Sequence, residues 1–287
     1  MMIRFIAVFM ILGATTIALG CTIGIATGSK TVDGRPLLLK NKDTENDYPP
    51  DVDFYQGSAG EYSYVFQKTY GQDHTRARMG INSVGFGILY SDSENLPSAA
   101  TGHSGSQLSA IALKTCSTLD DFRALLESTN GARSSPHHFG VIDSTGSGSL
   151  FEVDGFSYHE LTVVDSIATT ANTARYHPSR GAPASSSTSR QRQDRAEYLL
   201  THGPSAGLDF AYFVQEISQD YCETQLWEDN MPLGQYQTNP VLSRYKTSVG
   251  CVLRGSKPGD DPLIESVMWL IMGEPSLSVA LPFMPNA

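Results

Sequence analysis

The chain opens on an apolar block. Arg4 precedes an uninterrupted hydrophobic run over residues 5–12, and Ala18 and Gly20 put small residues three and one positions before Cys21. A basic start, an apolar middle and a small-residue boundary predict a secretory signal over residues 1–20 that is removed from the mature protein. The pattern then turns short and strand-like. Cys21-Thr22-Ile23-Gly24-Ile25-Ala26, an Asp33-Gly34 turn and Leu37-Leu38-Leu39-Lys40-Asn41-Lys42-Asp43 predict a β-hairpin whose far end returns beside its start. That return sets a cation and a carboxylate next to a cysteine.

Periodicity is lost over residues 45–60, where Tyr48-Pro49-Pro50-Asp51 centres a predicted loop and Phe54 and Tyr55 stand near its end. Its aromatics suit a substrate wall or an anchored surface loop. Residues 62–66 alternate as a strand does, and the apolar runs of 79–89 are broken by Asn82-Ser83, Gly85 and Gly87. Such glycines mark bulges or close backbone approach. Backbone N–H groups near Tyr90 and Ser91 are therefore candidates to face a ligand.

Two helices follow, 107–116 with Leu108, Ile111 and Ala112 on one face, and 119–127 with Leu119, Phe122, Leu125 and Leu126, started by a Thr118/Asp121 capping pair. Strands are predicted over 139–143 and 150–154 as a hairpin, over 158–164, and over 167–172, the last ending in the amide Asn172. A Gly/Ala/Pro/Ser-rich loop at 179–189 feeds a helix at 190–200, with Arg192 and Arg195 on one face. A further helix at 208–219 carries Ala211, Val214 and Ile217. Residues 246–254, 263–272 and 276–281 read as strands, with helix and strand both open around Met268-Trp269-Leu270. There is no internal repeat and no linker. The order of elements predicts layered α+β architecture.

Composition narrows the classes. The chain has 287 residues, 40% of them hydrophobic, enough for one large domain over residues 21–287. A formal charge of −10 leaves no basic excess to neutralise phosphates, so nucleic acid is not an expected partner. The opening block is short and contains Thr and Gly, and no other stretch could cross a bilayer. An exported protein, periplasmic or extracellular and without stable membrane insertion, is expected. Cys21 after a signal has a second reading, the anchor of an exported lipoprotein or binding module. Ala18-Leu19-Gly20 departs from the usual lipid-attachment box, and no flexible tether follows. Cys116, Cys222 and Cys251 leave room for at most one intrachain disulfide, with no pairing assigned. Metal-ligand spacings, a phosphate loop and a Gly-x-Ser-x-Gly elbow are all missing, so no metal or cofactor is expected. Self-association stays open.

With residues 1–20 gone, Cys21 would carry a thiol and a free α-amine together. An ordinary thiol titrates near about 8.5 and an α-amine near about 7.7–8.0, so the amine can accept the thiol proton near neutrality without a histidine. The ordered set of Cys21-Thr22, Lys40-Asn41-Lys42-Asp43, Gly80-Ile81-Asn82-Ser83-Val84-Gly85-Phe86, Phe139-Gly140-Val141-Ile142-Asp143, Ala171-Asn172, Arg192-x-x-Arg195-Ala196 and Gly273-Glu274-Pro275-Ser276-Leu277 resembles the N-terminal-nucleophile (Ntn) hydrolases with a cysteine nucleophile. The group in question surrounds choloylglycine hydrolase, penicillin V acylase and acyl-CoA:isopenicillin N acyltransferase, and the opening also looks like the cysteine dipeptidases.

The resemblance implies an αββα four-layer sandwich of two antiparallel sheets between helices. It implies hydrolysis of a linear amide in an N-acylated small molecule or short peptide through a thioester, with acyl transfer or dipeptide cleavage as alternatives. By the same resemblance Cys21 is the nucleophile, Asp43 the carboxylate that holds its amine, Asn172 the side-chain half of an oxyanion hole and Arg192 a charge near sulfur. Lys40 stands where the family has arginine, and offers a point charge instead of a bidentate fork. Asn82, Tyr90 and Tyr55 are the expected substrate-binding residues.

Overall fold

A computed structural model describes residues 20–44, 50–99, 101–184, 187–221 and 238–286. Residues 1–19 of the predicted signal, Tyr48 and Cys222 lie outside them. One sheet has, in spatial order, β10 (Ile167–Thr170), β1 (Cys21–Ala26), β2 (Leu37–Asp43), β11 (Thr247–Arg254), β12 (Val267–Met272) and β13 (Ala280–Phe283). The other runs β3 (Pro50–Tyr55), β4 (Tyr64–Thr69), β5 (Met79–Asn82), β6 (Gly87–Asp92), β7 (His137–Ile142), β8 (Gly148–Val153) and β9 (Tyr158–Val163). Every neighbouring pair is antiparallel.

Alternation along each strand builds the layers. Ile23, Ile25 and Leu38 of the first sheet pack on Val65, Met79, Ile81 and Leu89 of the second, forming the core between sheets. Leu37 and Leu39 face the other way, onto Ala196 and Leu200 of α3 (Ser189–Thr201) and onto Phe213 and Ile217. Outside the second sheet, α1 (Gly105–Thr115) and α2 (Leu119–Ser128) cover Phe66, Phe86, Phe139 and Phe151 with Leu108, Leu113 and Phe122. Each of these two helices starts on a capping box, Ser104 with Gln107 and, as the sequence predicts, Thr118 with Asp121. The result is the αββα sandwich.

Three expectations change. The segment read as a loop at 45–60 contains β3, an edge strand that starts at Pro50 and pairs with β4. Proline is tolerated at the first position of an edge strand, and Asp51 and Asp53 on that edge are held by Lys68, at 3.5 and 2.7 Å. The helix expected at 208–219 begins as one α-helical turn, α4 (Phe210–Tyr212), and continues as a π-helix over Phe213–Ser218. The wider winding buries Phe213 and leaves Ala211 exposed, so Ala211 is not part of the stripe. The ambiguous stretch around Trp269 resolves into a short helix, α5 (Pro262–Glu265), followed by β12, while 276–281 divides into a 3-10 turn and β13.

Candidate active site

Cys21 heads an inner strand and is 6% exposed. The β1–β2 register sets Cys21 opposite Lys42 and Ile23 opposite Lys40, and on the other side Ile23 lies opposite Thr170. Carrying that last register two residues further brings Asn172 to Cys21, whose N–H donates to Asn172 Oδ1 at 2.7 Å. Arg192, buried on α3, closes the arrangement. Its guanidinium donates to the Cys21 carbonyl (2.6 Å), the Thr22 hydroxyl (3.0 Å) and Asn172 Oδ1 (2.9 Å). The Asn172 backbone N–H donates to Ser189 Oγ at 2.8 Å, and one side-chain N–H donates to the Asp92 carbonyl, also at 2.8 Å.

Asp43 ends β2 on the opposite face of the strand from Lys42. Arg244 Nη1 donates to one carboxylate oxygen at 2.7 Å and the Thr247 hydroxyl to the other at 2.6 Å. Burial pushes the Asp43 carboxyl up, with Arg244 and Arg192 acting in the opposite sense. The Asp43 N–H donates to the carbonyl of Gly20 at 3.1 Å. Gly20 has no room for a side chain: a Cβ there would overlap Arg244 Nη1 and lie 2.8 Å from Asp43 Oδ2 and 3.1 Å from Arg192 Nη2.

Lys40 crosses from one sheet to the other. Its ammonium donates to the Tyr90 carbonyl and lies 5.0 Å from the centre of the Tyr90 ring. Burial lowers its pKa, opposed by the charge of Cys21. Tyr90 is itself buried, which pushes its hydroxyl up to about 12, and that hydroxyl accepts from Arg78 at 3.1 Å. On Asp92, burial opposes the charge, but the His137 contact at 3.1 Å, Lys40 and Arg78 outweigh it and hold the carboxyl below its usual range.

Thus Cys21, Asn172 and Arg192 come together, with Asp43 bordering them at Gly20 and Lys40 placed by register opposite Ile23, on the same face of the sheet as Cys21. Two expected binding residues stand elsewhere. Asn82 spends its amide on the Leu113 and Cys116 carbonyls and accepts from the Val84 and Phe86 N–H groups, bracketing the β5–β6 turn to the end of α1. Tyr55 donates to Glu61, stacks on His74 and meets Tyr64 at a tilt, with Lys114 4.3 Å from its ring centre. Sequence reasoning missed Arg244, Thr247, Arg78 and Asp92. Among the described residues no group of three His, Cys, Asp or Glu side chains could hold a metal ion.

Lys42 also titrates abnormally. Burial, then the charges of Arg78 and Lys40, bring its pKa from 10.5 down to about 8. Over that window the unfolded chain binds more protons than the folded one, so this group makes stability rise with pH. Measured by urea unfolding between pH 7.5 and 10.5, the native protein should gain up to about 3 kcal/mol relative to Lys42→Met. A difference that stays constant with pH would show that the amine is not held in a low-dielectric setting.

Four layers with stacked antiparallel sheets and a cysteine at the head of an inner strand give this chain the Ntn-hydrolase fold. A variant of conjugated bile acid hydrolase from Clostridium perfringens superposes with a TM-score of 0.58 at 10% identity, over 92% of this chain and 94% of that one. The N-acylethanolamine-hydrolyzing acid amidase orthologue of Caenorhabditis elegans superposes with a TM-score of 0.57 at 11% identity, over 88% of this chain and 100% of that one. No protein-family model matches the chain, and no curated protein does.

Proposed function

We propose that this protein is an N-terminal-nucleophile cysteine hydrolase, exported and processed at Cys21, that cleaves a linear amide of an N-acylated small molecule or short peptide. The observation that carries the reading is the convergence of Asn172 and Arg192 on both backbone ends of Cys21 at the head of an inner strand. Loss of Gly20 would turn the Cys21 N–H into an amine bordered by Asn172 Oδ1 and by Asp43 Oδ2.

The chemistry then runs through four transfers. The α-amine takes the thiol proton, and sulfur attacks the amide carbonyl. The second N–H of Asn172 Nδ2, which has no partner among the described residues, is free to donate to the developing oxyanion. A backbone donor lies beside it. The Ser93 N–H bonds to Pro136 on the β7 side, so alternation turns the Asp92 N–H to the other side, where pairing with β5 stops at Leu89 and Met79. The ammonium next returns its proton to the departing nitrogen, leaving a thioester. Water hydrolyses it to the acid and regenerates Cys21; an amine in its place would give acyl transfer.

The lipoprotein alternative fits the geometry poorly. Cys21 is nearly enclosed within a sheet, which leaves no slack between an anchor and the fold. Among the described residues no helix is long and apolar enough to cross a membrane. Intact mass and N-terminal sequencing, before and after limited thiol alkylation, test the proposal. A chain beginning at unmodified Cys21, labelled there faster than at buried Cys116 and Cys251, is the expected result. A mature chain that retains residues 1–20, or a lipid on Cys21, would overturn it.

A further inference from the structure

The proposed reaction gathers its oxyanion donors around one residue, Asp92. The Asp92 carbonyl holds the Asn172 side-chain N–H at 2.8 Å, and the Asp92 N–H is the backbone donor beside it. β6 ends here, and its pairing with β5 stops at Leu89, so Asp92 is held in the sheet by β7 alone. Its cross-strand partner there is His137. The Ser93 N–H bonds to the Pro136 carbonyl, which makes Asp92 and His137 a non-hydrogen-bonded pair, the kind whose side chains approach most closely.

His137 is 3% exposed, and both of its ring nitrogens have neighbours that fix it. The N–H of Gly105, the first residue of α1, donates to Nε2 at 2.8 Å, and the Ser135 hydroxyl stands 2.9 Å from the same atom. A peptide N–H can only donate, so Nε2 is the acceptor and the ring proton sits on Nδ1, 3.1 Å from Asp92 Oδ1. Tyr90 and Phe139 meet the ring edge-on, with centres 5.0 and 5.8 Å away. A Cβ on Gly105 would lie 2.8 Å from Cε1 and Nε2, so glycine is what lets the helix backbone reach the imidazole. From α1 through His137, Asp92 and Asn172 to the Cys21 N–H, no step between residues is longer than 3.1 Å.

We propose that His137 is a positioning residue for the oxyanion site: seated on the first turn of α1, it holds Asp92 so that the Asp92 carbonyl keeps Asn172 in place and the Asp92 N–H faces the reacting carbonyl. The proposal deepens the amidase reading and rests on it. His137 acts through Asp92, from the α1 face of the second sheet, where Tyr90 and Phe139 also lie. Its two ring nitrogens have separable duties. Nε2 accepts for the helix, a matter of stability, and Nδ1 serves Asp92, a matter of rate. The amide of asparagine reproduces the Nδ1 position and that of glutamine the Nε2 position, so two substitutions take the duties apart.

The test measures two rates at Cys21 of the processed protein, both read by peptide mass. Acetylation by p-nitrophenyl acetate passes through an oxyanion: sulfur adds to the ester carbonyl, p-nitrophenolate leaves and a thioester remains. Alkylation by iodoacetamide displaces iodide at a saturated carbon and forms no oxyanion, so the ratio of the two rates cancels thiolate content and access. His137→Gln should lower that ratio by roughly tenfold to a hundredfold and unfold at the native urea concentration. His137→Asn should keep the ratio within about threefold of native and unfold at lower urea, because the α1 N–H has lost its acceptor. Asp92→Ala should show the His137→Gln loss by itself, and combining the two should cost no more than about a further threefold. Equal losses in the Gln and Asn variants, no loss in either, or full multiplication in the double variant would overturn the positioning role and leave the amidase reading intact. Should neither His137 variant unfold cooperatively, Asp92→Ala, at a half-exposed side chain, still decides, since an unchanged ratio there overturns the role. A native ratio no higher than that of free cysteine would overturn the amidase reading itself.

Discussion

Cys21→Ala is expected to lower amide turnover by roughly 10,000-fold or more, the scale seen when a covalent nucleophile is removed from a site that otherwise stays assembled. No second thiol among the described residues could substitute. Burial pushes Cys116 up to about 12 and raises Cys251 beyond the range in which a thiolate forms near neutrality. The substitution removes one sulfur from a strand whose backbone bonds to Asn172 and Arg192 remain, so folding should persist. Steady-state rates with any acyl amide turned over by the native protein, together with intact mass for the thioester, provide the check. A variant retaining more than about 1% of the native rate would place the nucleophile elsewhere.

The second large effect is on stability. Asp43→Ala should destabilise the protein by about 3–5 kcal/mol, because it leaves Arg244 buried without its counter-ion. The carboxylate also borders the amine that processing would release, so activity should fall too. The two roles separate in a double variant. Asp43→Asn with Arg244→Met removes both charges and should recover most of the stability measured in urea, while turnover stays low. Recovery of both would make Asp43 a purely structural residue, and recovery of neither would mean that the Thr247 hydrogen bond to the carboxylate matters more than the ion pair.

Local patterns carried much of this architecture. The β1–β2 hairpin is contiguous in sequence, so its alternation and Asp-Gly turn foretold which residues return to Cys21. Asn172 was legible as the end of a strand, and only the register could show that β10 runs directly beside β1. Arg244 was not legible. It reaches Asp43 from 201 positions away, out of an irregular segment with no period to follow. Asn82 misled for a physical reason: an amide among glycines suits a ligand contact, but the same setting suits a turn whose N–H groups need an acceptor. Arg192 and Arg195 share a helix face only loosely, since three residues leave them about 60° apart. That divergence sends one to the Cys21 carbonyl and the other to Asp220, at 2.6 Å in both cases.

On the proposed reading, in which residues 1–20 are a leader, the crowding at Gly20 ties that leader to the fold. As a boundary residue it satisfies the preference of a signal-cleaving peptidase for something small, a preference that alanine would meet equally well. The folded site is stricter, because a methyl group at that position would wedge Arg244 away from Asp43 before any cleavage occurred. On that reading the last leader residue answers to the fold it precedes, because the exchange a peptidase would accept most readily is one that displaces a buried ion pair in the folded precursor.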